Sequence, residues 1–132
     1  MIPPPSDRSS KTILLVEDNK ALRDAFQEIL EASSYRAYSA ENGREALALY
    51  QEQNLKVDLL ISDINMPEMN GIELASILRQ TDPHTKVVIM SGLAQSETNQ
   101  QTYATPIDGW LQKPIGMKDF LRTVNELLRH SA

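Results

Sequence analysis

Cysteine is missing from the chain altogether, which excludes disulfides, thiolate nucleophiles and thiolate metal sites. Histidine is almost missing. Only His84, in the "TDPHT" loop, and His130, near the C-terminus, are present, and neither stands in a pattern that suggests a metal ligand or a phosphohistidine. Positive charge is in deficit: 13 Lys and Arg against 18 Asp and Glu leave a net charge of −5. Binding to a phosphate backbone needs clustered cations, so no direct nucleic-acid partner is expected. Long apolar runs are also lacking, and the longest fall far short of the ~20 residues that cross a bilayer. No basic stretch followed by an apolar one opens the chain. These absences set the expectation of a cytoplasmic protein without membrane insertion.

What is present suits one globular domain. The 132 residues are 41% hydrophobic and 23% charged, near the globular average, and too few for two ordinary domains. "MIPPPSDRSS", residues 1–10, has three consecutive prolines and little to bury, so it reads as a proline-rich disordered leader. The folded domain is expected over residues 11–130.

An alternation of elements follows. "TILLV" at 12–16 is a continuous apolar run of strand length, and Leu22, Ala25, Phe26, Ile29 and Leu30 then recur at helical spacing behind an Asp18 or Asn19 cap. "YRAYSA", "DLLISD", "KVVIMS" and "GWLQK" supply four more strands. Helices are expected on Ala46 to Tyr50, on Ile72 to Leu78 and on Phe120 to Leu128. Five strands alternating with helices imply an α/β, doubly wound parallel sheet with helices on both faces. One unit is weak. "LAQSETNQQTYAT", 93–105, is largely polar, so a fourth helix there would have little to bury.

In an open parallel sheet, ligands bind beyond the carboxyl ends of the strands. Glu17 and Asp18 follow the first strand, Asp63 ends the third, Ser91 the fourth and Lys113 the fifth. Taken singly, each reads as a cap, a turn or a strand end. Together they put three carboxylates, a hydroxyl and an ammonium at one edge. Two carboxylates ~4 Å apart repel by ~4 kcal/mol at an effective dielectric of 20, so the group calls for a cation. Oxygen ligands without His or Cys favour Mg²⁺ beside a phosphate.

"ILLVEDN", "SDINMPEMNG", "VIMSG" and "WLQKP" resemble, in order and spacing, the signatures of the receiver domain of two-component response regulators. That resemblance implies a flavodoxin-like sheet of order 2-1-3-4-5. It also implies that Asp63 is the phosphoacceptor, taking a phosphoryl group from a phosphohistidine on a sensor histidine kinase or phosphotransfer protein. Mg²⁺, with Mn²⁺ as an alternative, would be held by Asp18 and Asp63, by the backbone carbonyl of Asn65, and by Glu17 through water. Ser91 and Lys113 would bond the phosphoryl oxygens, and Lys113–Pro114 would be joined by a cis peptide.

The same resemblance makes the protein a phosphorylation-activated switch rather than an enzyme, with phosphotransfer and autodephosphorylation at Asp63 as its only chemistry. An apolar Leu93 offers an attacking water no partner and points to slow autodephosphorylation. Ser91 and Trp110 are the expected switch residues, although Trp110 stands where the family usually carries Tyr or Phe. Output would pass to a downstream effector through the face of the fourth helix, fifth strand and last helix. Two other readings exist: a phosphorylation-independent interaction module, and a Mg²⁺-dependent phosphatase with an aspartate nucleophile. The second needs an acidic general acid where this chain has Asn65.

Overall fold

The computed structural model describes residues 11–92 and 105–129. The proline-rich leader, Leu93, the weak fourth-helix segment up to Ala104, and His130 lie outside the described residues. The strands are β1 (Thr12–Val16), β2 (Arg36–Ala40), β3 (Leu59–Asp63), β4 (Lys86–Ser91) and β5 (Gly109–Gln112). They form one parallel sheet in the order β2-β1-β3-β4-β5. The described helices are α1 (Lys20–Ala32), α2 (Gly43–Glu52), α3 (Gly71–Thr81) and α4 (Met117–Arg129).

Strand position explains strand composition. β1, β3 and β4 are covered on both faces, so each is a run of buried residues rather than an alternation. Ile13, Leu15, Ile61 and Met90 face Phe26 and Leu30 of α1 and Phe120 and Val124 of α4, with Phe26 and Phe120 stacked at 4.1 Å between ring centroids. Leu14, Val16, Leu60 and Ile89 face Ala46 of α2 and Leu74 and Leu78 of α3. β2 lies at an edge and is only half-buried.

Three helices begin on asparagine. Asn19, Asn42 and Asn70 accept from the backbone N–H groups of Leu22, Glu45 and Glu73, and Asn70 with Glu73 completes a capping box. Each such cap contributes ~1 kcal/mol. Because Asn19 caps the start of α1, the Asp18 carboxylate is not consumed in capping and remains at the strand end.

Aspartates secure the other end of the sheet. Asp58, before β3, accepts from the Thr12 N–H at 2.8 Å and donates its own N–H to the Thr12 carbonyl at 2.9 Å. Asp108, before β5, accepts from the Val87 N–H at 2.8 Å and from Arg79 Nη2 at 2.9 Å, and donates to the Val87 carbonyl at 2.8 Å. At the β2 edge, Gln27 of α1 donates to the Ala37 carbonyl at 3.1 Å and accepts from the Ser39 hydroxyl at 2.6 Å.

Candidate functional site

The carboxyl ends of β1, β3, β4 and β5 surround a cleft of about 170 Å³, lined by Asp18, Asp63, Asn65, Ser91, Gly92 and Lys113 among others. β3 fixes the centre. Its fully buried run ends on Asp63, itself only 4% exposed. Behind the strand, Gly71 opens α3 so tightly that a Cβ there would collide with the Asp63 carbonyl oxygen. The Ser62 hydroxyl donates to that same carbonyl at 2.9 Å. These two residues hold the Asp63 backbone from the side away from the cleft.

Glu17 is fully buried beneath the cleft, with Oε2 accepting from the Asn19 N–H at 2.9 Å. Lys113 Nζ lies 2.6 Å from Asp63 Oδ1 and 3.1 Å from Glu17 Oε1. One ammonium thus serves two buried carboxylates, and neither of these oxygens has a second donor. Burial raises the Glu17 pKa, and Asp18 and Asp63 add to the rise against the Asn19 N–H and Lys113. Desolvation pulls the Lys113 ammonium down, but Asp63 and Glu17 outweigh it, so its pKa ends above the ordinary lysine value.

One ammonium therefore faces three carboxylates. Oxygens of Glu17, Asp18 and Asp63 lie within 4.8 Å of one another, close enough to ligate one ion. Three carboxylates with a single lysine between two of them, and an all-oxygen donor set, fit a hard divalent cation. Asn65 stands exposed on the loop after β3, which closes through the Gly71 N–H on the Ile64 carbonyl at 3.2 Å. That loop leans on α2 through the Arg44–Glu68 ion pair.

Leu93 apart, which lies outside the described residues, the site residues singled out in the sequence each have a definite place. Asp18, Asp63, Asn65, Ser91 and Lys113 meet in the cleft, and Glu17 sits below it. The Lys113–Pro114 peptide is cis. Trp110 does not line the cleft. It pairs with Ile89 while Gln112 pairs with Ser91, which places Trp110 two register steps back on the sheet face that Ser91 shares. Its indole is partly buried, and Nε1 has no acceptor among the described residues. Sequence reasoning missed the pairing of Lys113 with Glu17 as well as Asp63. It also missed the apolar groove of about 360 Å³ beside the lysine, formed with Leu22, Phe26, Pro114 and Ile115.

The family described as response regulator receiver domain matches residues 13–125. The chain belongs to the response regulator receiver family. This receiver is 38% identical over 119 residues to the sensor kinase CckA of Brucella abortus, covering 90% of this chain but 13% of that protein. It is 30% identical to the polar-differentiation response regulator DivK of Brucella anthropi, covering 89% of this chain and 96% of DivK. The chemotaxis response regulator CheY4 of Vibrio cholerae superposes with a TM-score of 0.78 at 30% identity, covering 89% of this chain and 98% of that one. The receiver domain of the hybrid histidine kinase CckA superposes at 0.73 with 33% identity over 89% of this chain and 98% of its own. A Thermotoga maritima response regulator, TrrA, solved in complex with Mg²⁺ and BeF, superposes at 0.71 with 28% identity over 89% of this chain and 98% of its own. The receiver is thus a regulatory domain of two-component signalling. No described helix is long and apolar enough to cross a membrane.

Proposed function

We propose that this receiver accepts a phosphoryl group on Asp63 from the phosphohistidine of a sensor histidine kinase or phosphotransfer protein, as one step of a phosphorelay. The observation that carries this reading is the pair of buried, under-neutralised carboxylates reached by one lysine. Asp63 is rigid and aimed into the cleft, so positioning supplies much of the catalysis. An Asp63 carboxylate oxygen forms the new O–P bond as the N–P bond of the donor imidazole breaks. Lys113, already 2.6 Å from Asp63, stays within reach of a phosphoryl oxygen, and Ser91 takes another. The apolar groove beside Lys113 gives a donor protein a surface to rest on.

Asp18, Asp63 and the Asn65 carbonyl would hold Mg²⁺, or Mn²⁺ in its place, with Glu17 acting through water. The ion supplies the positive charge that a phosphoryl dianion needs beside three carboxylates. Two charge-assisted hydrogen bonds, from Ser91 and Lys113, offer ~3–6 kcal/mol, against the ~5.5 kcal/mol that moves a switch from 1:99 to 99:1. The bias then reaches a downstream effector protein, with Trp110 reporting on it from the Ser91 face. Residues 11–130 act as the receiver and 1–10 as a leader, in the cytoplasm.

The test is mass spectrometry after exposure to acetyl phosphate and MgCl₂. A single-phosphate adduct is expected, absent in Asp63→Asn and after chelation, and severely reduced in Asp18→Ala. An undiminished adduct in Asp63→Asn would place the phosphate elsewhere and end this reading. Trp110 emission should shift on phosphorylation in the wild type and respond less in Ser91→Ala.

A further inference from the structure

Arg23 sits on the wrong end of its helix. α1 has no acidic residue in its first turn, and a cation close to a helix N-terminus opposes the helix dipole. What the side chain does there offsets that placement. It turns back over the Asn19 cap, donating from Nη1 to the Glu17 carbonyl at 2.8 Å and approaching the Asp18 carbonyl at 3.5 Å. The Glu17 carbonyl lies in the rigid peptide plane that joins Glu17 to Asp18. Holding that oxygen fixes the orientation from which both carboxylates leave the backbone.

Glu17 is otherwise held by its N–H on the Ala40 carbonyl at 3.1 Å and by its side chain, Oε2 on the Asn19 N–H and Oε1 against Lys113. Asp18 is exposed and inherits its direction from the plane it shares with Glu17. We propose that Arg23 is a positioning residue for the divalent-cation site: its grip on the two carbonyls poses Glu17 and Asp18 and so sets cation affinity. This rests on the reading of the cleft as a Mg²⁺ site.

Charge alone predicts the reverse. A guanidinium near a dication repels it, so simple removal of the charge would tighten binding, whereas loss of the grip would weaken it. The sign of the change is therefore decisive.

The experiment titrates the chelator-treated full chain with MgCl₂ in a calorimeter, comparing wild type, Arg23→Met and Arg23→Lys. Arg23→Met should raise the Kd for Mg²⁺ about tenfold, the low end for partners that orient metal ligands. Arg23→Lys, which keeps the charge and a single donor group, should fall between. The half-saturating Mg²⁺ for phosphorylation by acetyl phosphate should rise by the same factor as the Kd, with excess Mg²⁺ recovering the plateau. Equal or tighter Mg²⁺ binding in Arg23→Met overturns the proposal. Should that variant not fold in metal-free melting, an unchanged Kd in Arg23→Lys overturns it instead. A wild type that binds no Mg²⁺ would remove the metal reading and this inference with it, an outcome distinct from a wild type that binds and an Arg23→Met that binds equally.

Discussion

Aspartates stand at both ends of this sheet, and they lead opposite lives. At the amino ends of the strands, Asp58 and Asp108 each exchange hydrogen bonds with the neighbouring strand, and Asp108 adds Arg79. At the carboxyl ends, buried Glu17 and Asp63 share one lysine, and neither of the oxygens it meets has a second donor. Residue type does not separate structure from function here; satisfaction does. A carboxylate whose acceptors are filled within the fold stabilises it. One left short of positive charge costs stability and waits for a ligand.

The sharpest test of that contrast neutralises the unsatisfied end. Asp63→Asn should abolish the phosphate adduct while leaving the melting temperature unchanged or raised, because a negative charge leaves an under-neutralised group. A melting temperature far below wild type would show that Asp63 stabilises the fold as Asp108 does. Next in size is Gly71→Ala. Its methyl group cannot avoid the Asp63 carbonyl, so stability should fall by about 3 kcal/mol and adduct formation should slow as Asp63 shifts.

At the satisfied end, Asp108→Ala strands the Val87 N–H and takes one acceptor from the Arg79 guanidinium, which keeps the Thr85 and Pro106 carbonyls. A loss of about 2 kcal/mol in urea unfolding is expected, with phosphate incorporation intact. The smallest effect belongs to Tyr50, whose hydroxyl donates to Asp82 Oδ2 at 3.1 Å. Burial, then Asp82, raises its pKa above the ordinary value of 10. The folded state favours the neutral phenol, so this contribution is complete below pH 10 and is lost as pH rises through the raised value. Tyr50→Phe should cost about 1 kcal/mol at neutral pH, and the gap should close in alkali.

Much of this was legible from the residues. β1, β3 and β4 announce themselves as unbroken apolar runs because both of their faces are covered. β2 and β5, at the edges, are shorter or mixed, and the limits of three strands shift by a residue: Tyr35 closes α1 through its N–H on the Leu30 carbonyl instead of opening β2, Asp58 bonds Thr12 ahead of β3, and the fifth strand stops at Gln112. The polar residues of the cleft could be named because a parallel sheet gathers its strand ends in one place. What could not be read is contact made by reach and by closeness. Nothing in the spacing shows Lys113 touching Glu17, Arg23 curling back six residues, or Gly71 abutting the Asp63 carbonyl. Those depend on how packed elements face each other.

The clip on β2 has a consequence for the protein's life in a crowded solution. Arg36 donates its N–H to the Lys11 carbonyl of the chain leading into β1, and the Ala40 carbonyl accepts from Glu17, so by alternation the Ala37 carbonyl faces the open side of the sheet. An open edge is a template on which another chain can add a strand, the first step of aggregation. Gln27 occupies that acceptor with its own amide and engages the Ser39 hydroxyl two residues on. A single helix side chain thereby occupies an acceptor that an added strand would need, and blunts the edge as a template.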